Sequence, residues 1–214
     1  MKHEEKLLGY YNYTVVLTYI GMLTGFMGIA YAFEGRVTAA IVCLMVAGFC
    51  DMFDGAIAST KKDRTACEKN FGIQIDSLSD LICFGVLPGI TVYSMSGKNA
   101  LTLTVSAMFV LCGLIRLAYF NVDEQERQKT QAGPRSVYYG LPITMSAIFV
   151  PLVYGFAKLI KLNAFIPLTV ALLIMGVMYI LPFRLKKPHL FGKICMVLAG
   201  VAELVLMIFA CMDV

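Results

Sequence analysis

The stretch that decides the fold is VTAAIVCLMVAGFCDMFDGAIA, residues 37–58. It is apolar over about 20 residues, the length of an α-helix that crosses the ~30 Å hydrocarbon core of a bilayer. Its only charged residues are Asp51 and Asp54, and both lie toward one end. The stretch therefore predicts a membrane-spanning helix that carries carboxylates near one surface of the membrane.

The whole chain has the composition of a membrane protein. Of its 214 residues, 59% are hydrophobic and only 15% are charged, and the mean hydropathy is +0.76. Apolar blocks of similar length recur along the chain. They predict seven spans, near residues 12–33, 37–58, 74–96, 100–121, 141–160, 164–183 and 191–211. Residues 1–214 are therefore expected to form a single integral membrane domain, an all-α bundle of transmembrane helices.

Lysine and arginine are unevenly divided between the alternate loops of this arrangement. One side receives 13 of the 18 and the other receives four, and Arg116 lies inside the fourth span. Positive residues are retained on the cytoplasmic side. We therefore predict an inner (plasma) membrane protein with a cytoplasmic N-terminus and with loops 59–73 and 122–140 facing the cytoplasm. This asymmetry accounts for the net charge of +4, so the charge does not indicate nucleic-acid binding.

Four aspartates lie in or beside two consecutive apolar spans. Asp51 and Asp54 end the second span, and Asp76 and Asp80 begin the third. Their i,i+3 and i,i+4 spacings place each pair on one helix face. A short connection makes the two helices antiparallel neighbours, so the four carboxylates are expected to converge near the cytoplasmic surface. Hard oxygen ligands of this kind suit Mg²⁺ or Mn²⁺, and they predict a site for two divalent cations.

The two segments that hold these aspartates, DMFDGAIA (51–58) and GIQIDSLSD (72–80), resemble the signature of the CDP-alcohol phosphatidyltransferase family. That signature is D-x-x-D-G-x-x-A-R, then a spacer, then G-x-x-x-D-x-x-x-D. Seven of its eight fixed positions are matched. The chain departs at Ser59, where the family usually has arginine, and its spacer is a few residues longer than the common form.

The resemblance implies a metal-dependent membrane enzyme that transfers a phosphatidyl group from CDP-diacylglycerol to an alcohol, usually as a homodimer in a membrane. Asp51, Asp54 and Asp76 would be metal ligands. Asp80 would bridge the metal and the acceptor alcohol, and it would act as general base.

The resemblance also implies which residues bind CDP-diacylglycerol. They would be Gly55, Ala58, Ser59, Lys61, Lys62, Arg64 and Gly72. The glycines and the small Ala58 would let the nucleotide approach the helices closely. Because Ser59 replaces the family arginine, its positive charge is expected to come from Lys61, Lys62 or Arg64.

Three further segments resemble those of family members that use L-serine as the acceptor: FGVLP (84–88), RLAYFN (116–121) and GLP (140–142). Arg116 is expected to hold the serine carboxylate in a bidentate ion pair, or else to be a counter-ion for the aspartates. Asn121 and Arg135 are further candidates for the serine pocket.

Two alternatives to serine transfer remain open from the sequence. The same chemistry could use another acceptor, such as glycerol 3-phosphate or an inositol phosphate, although a phosphorylated acceptor would need additional cationic residues. The chain could also be a divalent-cation transporter, since aspartates within a membrane also line ion paths. Against the transporter, the carboxylates lie at one face rather than at the midplane, and no inverted repeat is visible.

Overall fold

The computed structural model describes residues 8–130, 137–186, 200–202 and 205. Within these ranges the helices are α1 (Tyr13–Phe33), α2 (Val37–Thr60), α3 (Ala66–Asp80), α4 (Leu87–Met95), α5 (Ala100–Thr130), α6 (Ser146–Leu159) and α7 (Phe165–Ile180). A π-helical segment, Leu81–Val86, joins α3 to α4 without a break, and a 3₁₀ turn, Ile143–Met145, leads into α6. Two three-residue strands, β1 (Val137–Tyr139) and β2 (Arg184–Lys186), pair in antiparallel fashion.

The predicted fold class, a bundle of helices suited to a membrane, is confirmed. Four stretches are long and apolar enough to cross a membrane: Tyr13–Phe33, Val37–Thr60, Ala66–Met95 and Ala100–Arg127. Two further apolar helical stretches, Ile143–Leu159 and Phe165–Ile180, are shorter. The predicted seventh span, 191–211, lies almost entirely outside the described residues. The count of seven spans and the orientation of the N-terminus therefore stay predictions.

The third helix begins earlier than the hydropathy predicts. It starts at Ala66 rather than near residue 74, because Thr65 and Glu68 form a capping box. The Glu68 backbone N–H donates to the Thr65 hydroxyl (3.1 Å), and the Thr65 N–H donates to the Glu68 carboxylate (2.8 Å). The connection from α2 shrinks to residues 61–65, so Asp76 and Asp80 lie well inside a helix rather than at its start.

The fifth helix ends later than predicted. It continues to Thr130 rather than ending near residue 121, so the first part of the predicted loop 122–140 is helical. Arg127 and Glu124 form an ion pair on this extension at 2.6 Å, with i,i+3 spacing. Such pairs add modest support to a helix that leaves the apolar region.

Small residues line the buried face of α1. The buried residues of this helix are Thr14, Val15, Thr18, Gly21, Gly25, Gly28 and Ala32. Most recur every three or four positions and therefore share one face. A Cβ on Gly25 would lie 2.5 Å from Cys83 Sγ, so a larger residue would separate the helices. Small residues bring membrane helices into close contact, and here they bring the Thr18 side chain close to α2.

The π-helical segment directly follows Asp80. In π geometry a backbone N–H bonds to the carbonyl five residues back, so an extra residue is accommodated in the turn. The Leu87 N–H donates to the Ile82 carbonyl in this manner. The Ser146 hydroxyl, at the start of α6, donates to the Phe84 carbonyl at 2.9 Å. The segment is thus fixed from a neighbouring helix, directly beyond the last aspartate.

The ribbon β1–β2 is an exception to the predicted all-α fold. Tyr138 pairs with Leu185 at its centre. Gly140 follows β1 with φ +69°, and its N–H donates to the Phe183 carbonyl at 2.8 Å. A Cβ on Gly140 would lie 3.0 Å from the carbonyl oxygens of Leu181 and Tyr179. This turn therefore requires glycine, and it brings the GLP segment against the end of α7.

Candidate active site

The four aspartates that were predicted to converge lie together in the structure. Asp51 and Asp54 are on α2, Asp76 and Asp80 are on α3, and all four line one narrow cavity. Carboxylate oxygens of Asp51, Asp76 and Asp80 lie within 4.8 Å of one another. Asp51 lies against Asp80, and Asp54 lies against Asp76. The short 61–65 connection and the two spacings produce this arrangement.

The donor set fits a hard divalent cation. Bonds from Mg²⁺ to oxygen are about 2.0–2.1 Å long, so two ligands of one ion are at most about 4.2 Å apart, and the 4.8 Å limit on the distances between the aspartate oxygens is of the same order. In addition, Asp76 Oδ1 is buried and has no hydrogen-bond partner among the described residues. A buried carboxylate oxygen without a donor is costly, and a cation in the cavity would satisfy it.

Asp54 is held from a third helix, α1. Thr18 Oγ1 donates to Asp54 Oδ2 at 3.0 Å, and the two side chains are 7% and 8% exposed. Thr18 does not stand out in the sequence, because hydroxyls in apolar helices usually bond to their own backbone. Thr24 does so, donating to the Ile20 carbonyl at 2.8 Å. The available signal was the position of Thr18 on the glycine-lined face of α1.

The nucleotide-binding candidates on α2 lie beside Asp54. Gly55 is exposed, and a Cβ there would meet nothing within 4 Å, so the helix surface is open to a ligand at this point. Ala58 lies one helical turn further on. The Ser59 hydroxyl donates to the Ala56 carbonyl of its own helix at 2.6 Å. Ser59 therefore brings no charge to the position of the family arginine.

Arg64 is the basic candidate that contacts both halves of the motif. Its Nη1 donates to the Ala58 carbonyl at 3.2 Å, and its Nη2 donates to the Glu68 carbonyl at 3.4 Å. A Cβ on Gly72 would lie 2.8 Å from Nη2, so glycine at this position makes room for the guanidinium. The Arg64 Nε is buried without a hydrogen-bond partner among the described residues. A buried N–H group without an acceptor is costly, and an anionic ligand at this point would satisfy it.

Lys61 and Lys62 are placed differently. Lys61 Nζ forms an ion pair with Glu68 Oε1 at 2.9 Å. This hydrogen bond raises the pKa of Lys61. Glu68 Oε1 also accepts from Asn12 Nδ2 at 3.0 Å, so Lys61 belongs to a network that ties the start of α1 to α3. Lys62 is exposed on the same connection.

Arg116 links two of the segments that suggested serine as acceptor. It lies on α5, is 9% exposed, and its Nη1 is 3.3 Å from the position of a Cβ on Gly140. It also lies near Tyr179, whose hydroxyl donates to the Ile143 carbonyl at 3.2 Å. The RLAYFN and GLP segments therefore meet at this arginine.

Asn121 is connected to the aspartate helix. Its Oδ1 accepts a hydrogen bond from the Ser77 hydroxyl at 2.9 Å, and Ser77 directly follows Asp76. Asn121 is thus close to the metal-ligand candidates. Arg135, the other residue predicted for the serine pocket, lies outside the described residues.

Comparison with known proteins agrees with this geometry. The chain is 30% identical over 179 residues to the archaetidylserine synthase of Methanothermobacter thermautotrophicus. The aligned region covers 82% of this chain and 72% of that protein. It is 33% identical over 144 residues to the CDP-diacylglycerol–serine O-phosphatidyltransferase of Helicobacter pylori, covering 66% and 56%. It is 25% identical over 181 residues to the protein of the same name in Bacillus subtilis, covering 83% and 91%.

The chain thus spans a little over half of the Helicobacter relative and a larger share of the other two. The family described as CDP-alcohol phosphatidyltransferase matches residues 11–201. This match includes the aspartate motif, the helices that carry it and the segments around Arg116. The chain belongs to the CDP-alcohol phosphatidyltransferase family.

Proposed function

We propose that this protein transfers the phosphatidyl group of CDP-diacylglycerol to L-serine and forms phosphatidylserine and CMP. The observation that carries the proposal is the cavity in which aspartates from both halves of the family motif meet, with Arg64 joining those two halves. Serine as acceptor is supported by the names of the relatives, each of which specifies serine chemistry. Membership of a phosphatidyltransferase family favours the enzyme over the cation transporter.

Asp51, Asp54, Asp76 and Asp80 would hold two divalent cations, Mg²⁺ or Mn²⁺. Ions bound there would neutralise charge on the diphosphate and on the departing CMP. The chain's own part is to keep the carboxylates oriented. Thr18 does this for Asp54 through its 3.0 Å hydrogen bond, and the contacts of α1 with both α2 and α3 keep the two aspartate-bearing helices beside each other.

The cytidine diphosphate would lie against the exposed Gly55 and the half-buried Ala58. In this arrangement Arg64 supplies the positive charge that the family arginine would otherwise supply from position 59. Two of its nitrogens already bond to backbone carbonyls, which fixes the guanidinium plane. A fixed, always charged fork is well suited to a phosphate. Lys61 has its charge paired with Glu68 and is the weaker candidate.

The transfer itself is a displacement at the phosphorus that bears the diacylglycerol. Asp80 accepts the proton of the serine hydroxyl, and the hydroxyl oxygen forms a bond to this phosphorus. The bond from the phosphorus to the CMP oxygen breaks, and CMP leaves. Arg116 would hold the serine carboxylate, with Asn121 nearby on the same helix. Proton transfer by a positioned carboxylate typically contributes about 10²- to 10⁴-fold to the rate.

The proposal also covers the domain organisation, the oligomeric state and the orientation of the protein in the membrane. Residues 1–214 would act as one membrane domain, two copies would form a homodimer, and the aspartates would face the cytoplasm from the plasma membrane. The support for this orientation is the division of lysine and arginine between the loops. The acyl chains of CDP-diacylglycerol would then lie in the inner leaflet, among the surrounding membrane lipids.

The direct test is CMP release by the purified protein in detergent. CDP-diacylglycerol and Mg²⁺ or Mn²⁺ are supplied with L-serine, glycerol 3-phosphate or an inositol phosphate as the acceptor. We expect CMP only with serine and only with the metal present. Release with a phosphorylated acceptor and not with serine would keep the chemistry and replace the substrate. Metal flux into proteoliposomes without CDP-diacylglycerol would support the transporter instead.

A further inference from the structure

A second cleft, of about 800 Å³, opens at the end of the bundle away from the aspartates. It lies between the α1–α2 turn, the start of α2, the end of α6 and the α6–α7 turn. Thr38 in this cleft and Asp51 in the candidate active site are both on α2. Their separation in the sequence corresponds to about 20 Å along the helix. The cleft is therefore distinct from the site of phosphatidyl transfer.

Two cationic side chains line this cleft, Arg36 and Lys158. The Arg36 guanidinium lies 4.4 Å from the centroid of the Tyr31 ring, and Lys158 Nζ lies 5.8 Å from that of Tyr154. Rings at these distances hold cations in place and leave their N–H groups able to donate. Glu34 is 3.5 Å from Arg36, but both side chains are more than half exposed, so their ion pair is weak.

The polar groups between the two cations also suit an anion. The hydroxyls of Thr38 and Tyr154 hydrogen-bond to each other at 2.9 Å. This pair places two polar oxygen atoms on the wall of the cleft. Residues 37–39, which also line the cleft, form the first turn of α2, and no side chain caps this helix. The positive end of the helix dipole adds to the charge of the two side chains.

Apart from Asn163, most of the remaining lining is apolar, and the surroundings are those of a membrane surface. Val37, Val42 and Met95 contribute to the wall. Leu162, which lines the cleft, is 53% exposed, and Phe33, the last residue of α1, is 71% exposed, as residues in contact with lipid would be. We propose that this cleft binds the phosphate group of an anionic phospholipid, at the membrane surface opposite the aspartates.

Lipid binding by the purified protein tests this proposal. The protein, in a neutral detergent, is mixed with phosphatidylglycerol, with zwitterionic phosphatidylcholine or with inorganic phosphate, and the bound ligand is measured by native mass spectrometry. We expect preferential retention of phosphatidylglycerol. The double variant R36Q/K158Q should lose about tenfold or more in affinity, because hydrogen bonds to charged groups are lost. Melting temperature in detergent checks that the variant is folded.

A matched control separates the cleft from the general charge of this end of the bundle. The double variant K98Q/K161Q removes the same charge from two turn residues that do not line the cleft. It should bind phosphatidylglycerol as the parent does. If the double variant R36Q/K158Q does not fold, K158Q alone changes one exposed residue near the end of α6 and should still lower the affinity.

Three results would overturn the proposal. Equal losses in both double variants would mean that phosphatidylglycerol responds only to overall charge. Undiminished binding to R36Q/K158Q would mean that the lipid binds elsewhere. Binding of inorganic phosphate that depends on Arg36 and Lys158, without retention of phosphatidylglycerol, would make this a site for a soluble anion. The acceptor used in phosphatidyl transfer affects none of these measurements.

Discussion

Replacing Thr18 by valine would remove one hydrogen-bond donor from a buried carboxylate and leave the size of the side chain almost unchanged. The Thr18 hydroxyl lies 3.0 Å from Asp54 Oδ2, and both side chains are less than a tenth exposed. Water therefore has little access to replace the lost donor. In our proposal Asp54 is a metal ligand, so the variant should weaken the binding of the metal rather than that of serine.

The magnitude follows from this single contact. A hydrogen bond to a charged group contributes about 1.5–3 kcal/mol. Since about 1.4 kcal/mol corresponds to a factor of ten, the half-saturating concentration of Mg²⁺ or Mn²⁺ should rise about tenfold to hundredfold. The maximal rate at saturating metal should change far less, because the carboxylate itself remains.

The assay is serine-dependent CMP release as a function of metal concentration, for the parent and for Thr18→Val. Thr24→Val is the matched control, because the Thr24 hydroxyl lies on the same helix and, within the described part of the chain, bonds to the carbonyl of Ile20 rather than to a carboxylate. Its metal titration should overlay that of the parent. A half-saturating concentration for Thr18→Val within about twofold of the parent would refute the role assigned to this hydroxyl.

Four further predictions concern the candidate active site, the turn at Gly140 and the orientation of the protein in the membrane. Asp80→Asn should lower CMP release by about 10²- to 10⁴-fold while nucleotide binding persists, and near-parent turnover would remove Asp80 from the role of base. Arg64→Ala should raise the KM for CDP-diacylglycerol while the exposed Lys62→Ala leaves it unchanged, and equal KM values in steady-state assays would contradict the placement of Arg64. Gly140→Ala should lower the melting temperature more than Gly35→Ala, because both have positive φ but only Gly140 has backbone oxygens at 3.0 Å. A cysteine introduced as Lys62→Cys should resist an impermeant reagent on intact cells, and its labelling would reverse the predicted orientation.

The convergence of the aspartates was predictable because it depends on regular geometry. Helix periodicity places each pair on one face, and a short connection brings α2 and α3 together whatever its detailed conformation. The choice among the basic candidates was not predictable in this way. Whether Lys61 or Arg64 reaches the motif depends on the path of residues 61–65, and that path depends on the capping box at Thr65.

Contacts between distant segments were the other part that the sequence did not reveal. The bond from Thr18 to Asp54 joins two helices, whereas most intrahelical hydroxyls bond locally, as Thr91 does to the Leu87 carbonyl. The ribbon β1–β2 pairs segments separated by two helices, and each is too short to carry a strand pattern. Hydropathy likewise missed the polar first turns of α3, because capping rather than apolar burial sets that boundary.

The π-helical segment divides the helical stretch 66–95 into two parts whose side chains point in different directions around the helix axis. An α-helix turns by about 100° per residue, so an extra residue rotates everything beyond it by about that angle. In α3, before the segment, Asp76 and Asp80 point toward the aspartates of α2. In α4, after the segment, Leu87 packs against Gly28. Deleting one residue within 81–86 would restore a uniform α-helix and rotate α4 relative to α3. Either the carboxylates of α3 or the apolar side chains of α4 would then face the wrong neighbouring helix.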